Sequence, residues 1–190
     1  VAERLIEAPR AHAEKLLSLV EESLALASVR LADLDGFAVS IGPGSFTGLR
    51  IGLSTAKGFA FATGKPVLAV PTLAALAYEA VRSELVGEDE YIVPMIDARR
   101  DEVYMAIYRR SGQLAAELSP ARAIRLHEIP VLLPKLGRLL LMGDGAEKFF
   151  RSSNPLVSTR IQRCVYPSGG GGASKEDGGF QVCTRAVLVR

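Results

Sequence analysis

Few residues of this chain have the type and spacing to do chemistry. The first candidates lie in a glycine turn, Gly42-Pro43-Gly44-Ser45, between the apolar run Phe37-Ala38-Val39 and a segment of helical periodicity. Glycine lets backbone N–H groups point outward, and a helix N-terminus adds partial positive charge. Gly42, Gly44 and Ser45 therefore form a candidate anion- or nucleotide-binding turn, with Ser45 at the N-cap position. The familiar phosphate motifs are not met. A Walker loop needs Gly-Lys-Ser/Thr at the helix start, and here the chain reads Gly-Ser-Phe-Thr-Gly. Gly42, Gly44 and Gly48 are one residue too widely spaced for G-x-G-x-x-G. The plainer reading is a tight turn feeding a helix that packs closely on a partner. Gly48, Gly52 and Gly58 lie inside that helix, each about 1 kcal/mol less favourable there than alanine.

The acidic candidates are Asp97, Asp101, Glu102 and Asp144. Asp97 ends an apolar run, where a carboxylate often faces a cleft. The simpler alternative is a turn contact between Asp97 and Arg100. His12 and His127 are the only histidines, far apart in the chain, and read as surface residues. Leu16, not a second ligand, stands at the i+4 position from His12. Cys164 and Cys183 have no C-x-x-C spacing and make neither a metal site nor a disulfide framework. Gly-Pro-Gly-Ser-Phe is not a nucleophile elbow. No catalytic residue and no metal ligand is assigned.

The elements that would position these residues follow from periodicity. Arg10 to Ala27 repeats Leu16, Leu17, Val20 and Leu24 at helical spacing, an amphipathic helix. Phe37–Ile41 and Pro66–Val70 read as buried strands around a helix from Phe46 to Thr63-Gly64, a βαβ unit. Pro71-Thr72 opens a third helix, Leu73 to Arg82, with Leu73, Ala77 and Ala80 on its inner face. Tyr91–Ile96 and Val103–Tyr108 read as a hairpin around a charged turn. In its second strand Val103, Met105 and Ile107 alternate with Tyr104, Ala106 and Tyr108, as in a half-buried strand. Leu139–Met142 is a last strand, followed by a helical turn at Ala146–Arg151. Pro130 and Pro134 allow only a short helix between Ile124 and Leu136.

The 190 residues are 48% hydrophobic and 23% charged, a globular α/β composition. A net charge of +2 is too small to argue direct nucleic-acid binding. No 18-residue apolar run is present, and two unframed thiols favour a reducing, cytoplasmic setting. The chain does not begin with Met, so a trimmed start is expected. The expected division is a first lobe at 1–97, a second at 98–165 and an atypical Gly-rich tail at 166–190. Gly169–Gly172 and Gly178-Gly179 make residues 166–185 expectedly mobile.

Ser40-Ile-Gly-Pro-Gly-Ser-Phe-Thr-Gly-Leu-Arg-Ile-Gly52 resembles the signature of the TsaB (YeaZ) family. Pro66–Ala77, the turn at Ile96-Asp97-Ala98-Arg99 followed by Asp101-Glu102-Val103-Tyr104, and Gly143-Asp144-Gly145 match the same family in order. The resemblance spans roughly Pro9 to Phe150. It implies the two-lobed actin-like, sugar-kinase-like and heat-shock-ATPase-like (ASKHA) α/β fold. It implies a noncatalytic subunit in the synthesis of N6-threonylcarbamoyladenosine on tRNA, paired with the paralogue TsaD and joined by the ATPase TsaE. A homodimer is also implied, competing with TsaD for one surface, and tRNA is met only through the complex. The paralogue's H-x-x-x-H metal ligands correspond to Thr72 and Leu76 here, which cannot replace histidine at a divalent ion. No cofactor is implied for this chain itself, beyond a nucleotide at the partner interface.

The interface expected from the residues uses Leu16, Leu17, Val20 and Leu24 of the first helix. The second helix adds Phe46, Leu49, Arg50 and Leu53. Two such helices can meet two from another chain as a four-helix bundle. Two departures from the family pattern stand out. The strand-turn-strand with an Asp-Thr pair that opens family members is missing, so the first lobe is expected to lack its hairpin. Residues 166–185 replace a closing helix, as a shifted reading frame would produce. The competing function is an actin-like ATPase or phosphotransferase using the Gly42–Gly48 turn; the missing hairpin and histidines disfavour it. An independent peptidase is a third and weaker reading, needing the same absent metal site.

Overall fold

The computed structural model describes residues 2–4, 12–88, 90–133, 138–152 and 160–161. The Gly-rich tail, Cys164 and Cys183 lie outside the described residues. The chain divides into two compact units, the first ending at Val70 and the second starting at Pro71.

In the first unit α1 (His12–Ala27) leads through a short 3-10 turn to β1 (Phe37–Gly42), α2 (Phe46–Thr63) and β2 (Val67–Pro71). α1 buries Leu16 and Ser23, and the Ser23 hydroxyl donates to the Leu19 carbonyl at 2.7 Å. Ser45 caps α2, its hydroxyl accepting from the Gly48 N–H at 3.3 Å. Gly64 ends it in the left-handed region at φ 69°, its N–H donating to the Ala60 carbonyl. β1 and β2 pair, starting where the Phe37 N–H donates to the Pro66 carbonyl at 2.9 Å.

These two strands, expected to be buried, are covered on one side only. Val39 lies against Gly52 of α2, and the Phe37 ring stands 5.6 Å from that of Phe59. Ala38, Ser40, Ile41, Leu68 and Ala69 are exposed. The reason is architectural: one helix covers one face, and among the described residues this sheet has two strands.

The second unit is a five-stranded mixed sheet in the order β5-β4-β3-β6-β7. Its strands are β3 (Tyr91–Asp97), β4 (Glu102–Ser111), β5 (Leu114–Arg125), β6 (Leu139–Met142) and β7 (Arg160–Ile161). β3 pairs antiparallel with β4 and parallel with β6. The lobe boundary expected at residue 97 thus gives way to one at Val70, because Tyr91–Asp97 is the central strand of this sheet and cannot leave it. On one face Val93, Met95, Val103 and Met105 pack with Ile129 and with Phe149 of α5 (Asp144–Ser152). α3 (Thr72–Arg82) packs on β3, β4 and β5 and buries Leu73, Ala77, Ala80 and Val81. Helices on both faces explain why β3 is buried along its whole middle.

The alternation in β4 holds along the strand, but both of its faces are covered. Val103, Met105, Ala106 and Tyr108 are buried, and Ile107 is half-exposed. The β3–β4 register is unbroken, so Ile107 stays on the face of Val103 and Met105, at the margin of that core, while Ala106 and Tyr108 lie on the other face, the one α3 covers. Tyr108 then donates to Glu117 at 3.1 Å; burial first and that carboxylate second push the phenol up to about 12. β5 escapes the sequence reading. It is an edge strand, mostly exposed, rich in alanine and interrupted by Pro120, so it lacks the apolar alternation that marks a half-buried strand. No described helix is long and apolar enough to cross a membrane.

Two glycines set the junction of β6 and α5. Gly143 adopts φ +93°, and a Cβ there would lie 2.2 Å from the Met95 carbonyl oxygen. A Cβ on Gly145 would lie 2.8 Å from the Ile96 nitrogen. Both obstacles are backbone of the central strand and cannot yield. Gly143→Ala or Gly145→Ala should therefore destabilise the protein by about 2–4 kcal/mol, read as a lower urea midpoint. Gly58→Ala, in open space inside α2, should leave stability unchanged or raise it by about 1 kcal/mol. Equal midpoints for Gly143→Ala and wild type would show that the close approach carries no weight.

Candidate functional site

The first candidate surface is formed by α1 and α2. Leu17 is 54% exposed and Phe46 73% exposed. Val20, Leu24, Leu49 and Leu53 are half-buried, and Leu16 is packed inside the unit. Arg50 is exposed and sits over its own Phe46 ring at 5.4 Å. That contact holds a large apolar ring upright on an exposed helix. Phe61, 94% exposed at the far end of α2, extends the same surface and was not singled out from the sequence. Its place in an all-apolar stretch, Gly-Phe-Ala-Phe-Ala, hid which of the two phenylalanines faces outward.

The glycine turn stands at the start of α2. Gly42 has φ +106°, and a Cβ there would press on Leu49 at 3.1 Å. The Gly42–Pro43 peptide bond is cis. The Ser45 hydroxyl already accepts a helix N–H, so its oxygen serves the cap. Around Gly44 a Cβ would meet open space.

In the second unit the strand-end carboxylate, Asp97, does not contact Arg100 as the turn reading had it. Its Oδ1 accepts from the Arg99 N–H at 2.8 Å and from Lys148 Nζ. Arg99 and Arg100 both hold positive φ, 69° and 49°, which turns the chain back into β4 and spends the Asp97 side chain on the turn backbone. Lys148, on α5, also donates to the Glu102 carbonyl at 3.1 Å. Asp144, at the start of α5, accepts from the Asp97 N–H at 3.3 Å and the Gly145 N–H at 2.9 Å. β3 and β6 run parallel side by side, so both carboxylates arrive at the same sheet end. Lys148 was invisible to sequence reading because it lies 51 residues from its partner, with no local motif to link them.

The two carboxylates are pushed in opposite directions. Burial alone would raise Asp97, but the Lys148 ammonium and the Arg99 N–H outweigh it and hold the group below its usual range. Asp144 is raised, first by burial around its carboxylate and then by the neighbouring Asp97 charge, against the backbone N–H groups of Asp97, Gly145 and Asp144 itself, which lower it. Asp101 is exposed at the turn, and its carbonyl accepts from the Leu126 N–H at 2.9 Å. The chemistry is that of a structural clamp: each oxygen named here is bonded to backbone or to an ammonium. Thr72 and Leu76 stand one turn apart on α3, both half-buried. Among the described residues no three His, Cys, Asp or Glu side chains converge. His127 is exposed beside a cleft of ≈ 390 Å³ lined by Arg122, Ile124, Glu128 and Val131.

The clamp gives a signed pH dependence. A lowered Asp97 stabilises above the ordinary carboxylate range and loses that contribution as pH falls through its folded value. A raised Asp144 does the reverse, costing stability as pH rises from the ordinary range through its folded value. Asp144→Asn keeps an acceptor oxygen for both N–H groups and removes the charge. It should stabilise the protein at neutral pH and be neutral at about pH 3, below both values. Lys148→Met should raise the Asp97 carboxyl, read by carboxyl carbon chemical shifts against pH. An unmoved Asp97 titration would show that the ammonium does not hold it.

Known proteins place this arrangement. Residues 6–148 match the model of a family described as TsaD: tRNA N6-adenosine threonylcarbamoyltransferase. The structure is similar to that of YeaZ from Pseudomonas aeruginosa, with a TM-score of 0.68 and 32% identity, covering 82% of this chain and 71% of that one. In sequence the chain is 38% identical over 137 residues to an uncharacterized protein of Mycobacterium tuberculosis, covering 68% of this chain and 61% of the relative. It is 39% identical over 102 residues to the tRNA threonylcarbamoyladenosine biosynthesis protein TsaB of Escherichia coli, covering 54% of this chain and 43% of that protein. The chain thus spans about half of the length of the curated relatives it matches. The actin-like α/β fold expected from the sequence is the one these likenesses support. On the family match over most of the chain and the likeness to YeaZ, the chain belongs to the TsaB (YeaZ) family, within the wider group that the TsaD model describes.

Proposed function

We propose that this chain is a noncatalytic subunit in the formation of N6-threonylcarbamoyladenosine on tRNA. It docks on the transferase TsaD through α1 and α2, and the ATPase TsaE joins the pair. The observation that carries the reading is the exposed apolar surface of those helices, Leu17 and Phe46 above all, in a chain similar to proteins named for this modification. The noncatalytic role is supported by the clamp: Asp97 and Asp144 are engaged with Lys148 and backbone N–H groups rather than aimed at open space. The same surface pairs two copies of the chain when TsaD is absent. No cofactor is needed by the chain itself; a nucleotide held between it and TsaD fits the Gly42–Ser45 turn. tRNA is contacted through the complex, in the cytoplasm.

The test is reconstitution with TsaD, TsaE, ATP, threonine-derived carbamoyl donor and unmodified tRNA, followed by nucleoside mass spectrometry. Modified adenosine should form only when the chain and both partners are present. Alone, the chain should turn over no ATP. Phe46→Glu leaves the fold intact, because the ring is outside the unit, and should weaken TsaD binding at least about 10-fold. Val20→Glu or Leu49→Glu should do the same by burying a charge without a partner. Modification at full rate without the chain, or full TsaD binding by Phe46→Glu and Val20→Glu, overturns the proposal.

A further inference from the structure

Where β5 ends, the chain folds back beside the sheet and leaves a cleft. At Arg125 it passes into a 3-10 turn, Leu126–Glu128, and then α4 (Ile129–Leu132). Leu126, Ile129 and Leu133 recur at steps of three and four, and all three are buried. The Leu126 N–H donates to the Asp101 carbonyl at 2.9 Å, which pins the turn to the start of β4. Between this segment and the end of β5 lies the cleft of ≈ 390 Å³. Its apolar part is Ile124, Val131 and Leu132, and its polar part Arg122, His127 and Glu128. Arg122 and Ile124 stand opposite Met105 and Val103 of β4, so both lie on the face that carries the core. Ile124 is buried and Leu132 half-buried, but Val131 is 69% exposed. Arg122 and His127 are exposed, and neither has a hydrogen bond or ion pair among the described residues. Glu128 is turned back on its own element, where it accepts from the Arg125 N–H at 3.4 Å.

We propose that this cleft seats a short segment of a partner protein in which an apolar side chain stands beside an acidic one. The apolar side chain lies on Ile124, Val131 and Leu132. The carboxylate accepts two N–H groups from Arg122, with His127 as a further donor. A free small molecule fits less well. Sites for such ligands bury most of the ligand's surface, and here four of the six side chains named, Arg122, His127, Glu128 and Val131, are exposed. A protein segment brings its own cover and closes a polar rim over the apolar anchor. A purely apolar segment would cover the Arg122 guanidinium without supplying an acceptor, and a basic one would set like charges together. The site lies in the second unit and draws on no residue of α1 or α2, so it stands or falls apart from the TsaD-docking surface.

The probe is a capped pentapeptide with a central leucine between two glutamates. It is titrated into the isotope-labelled full-length chain and followed by amide and methyl chemical shifts. Ile124, His127 and Val131 should move together, with a Kd of about 1 mM, as a single anchor side chain allows. Replacing both glutamates of the peptide by glutamine, or its leucine by alanine, should weaken binding at least about 10-fold. Arg122→Glu and Val131→Asp should each abolish the shifts. Both side chains are exposed, so the fold should survive, and circular dichroism checks it. Arg125→Gln removes a charge paired with Glu102 rather than one in the cleft, and should bind as wild type does. Absence of shifts at about 10 mM peptide overturns the proposal. So does equal binding of the glutamine peptide, or a loss in Arg125→Gln as large as in Arg122→Glu, which would mark diffuse charge attraction. If 4-methylpentanoate alone matches the pentapeptide in affinity, the occupant is a small acid and the partner-segment reading fails.

Discussion

The second unit depends on two missing side chains. Gly143 and Gly145 let the turn after β6 press against the backbone of β3 at Met95 and Ile96, at distances that no Cβ would tolerate. Everything at that sheet end follows from the contact. It brings Asp144 within reach of the Asp97 N–H, starts α5 at the right height, and places Lys148, one turn later, over the Asp97 carboxylate. The same helix then delivers Ala146 and Phe149 to the core. A local steric allowance is thereby converted into the packing of a whole helix.

The two units solve the problem of burial differently. The second has helices on both faces of its sheet and a contiguous core from Val93 to Phe149. The first has one helix on a two-stranded sheet and leaves Phe46, Phe61 and Leu68 in the open. Its fold is consistent with its sequence at the local level, with a serine cap, a left-handed glycine stop and helix-spaced apolar residues. What differs is the supply of apolar surface, which exceeds what the described elements of that unit cover.

The helices and most strands were legible because their signals are local. Ser45 and Gly64 bracket α2 in the sequence as they do in space, and Leu73, Ala77 and Ala80 are buried on α3 as their spacing required. The hairpin of β3 and β4 was legible for the same reason. The rest depended on information carried by distant residues. Tyr108 is buried because α3, distant in sequence, covers the second face of β4, and β5 beside it carries no strand signature of its own. Asp97 binds Lys148 rather than Arg100 because α5 is laid over the strand end by glycines remote from both. The βαβ unit was read correctly as to order and wrongly as to burial, since apolarity reports a preference for cover and not whether cover is present. The candidate surface was named in part: Leu17 and Phe46 face outward, while Leu16, one residue from Leu17, faces in.

β5 ends the larger sheet on its outer side, and its composition has a consequence for assembly. An edge strand offers a row of backbone donors and acceptors to any passing strand. Pro120 removes one donor from that row, and Glu117, Arg122 and Arg125 place charge along it. Continued strand addition at this border is thus discouraged, while the backbone there stays accessible to water. Recognition at this border is left to the shapes and charges of its side chains. A polymer grown from sheet to sheet would be indifferent to partner identity; a helix face reads it.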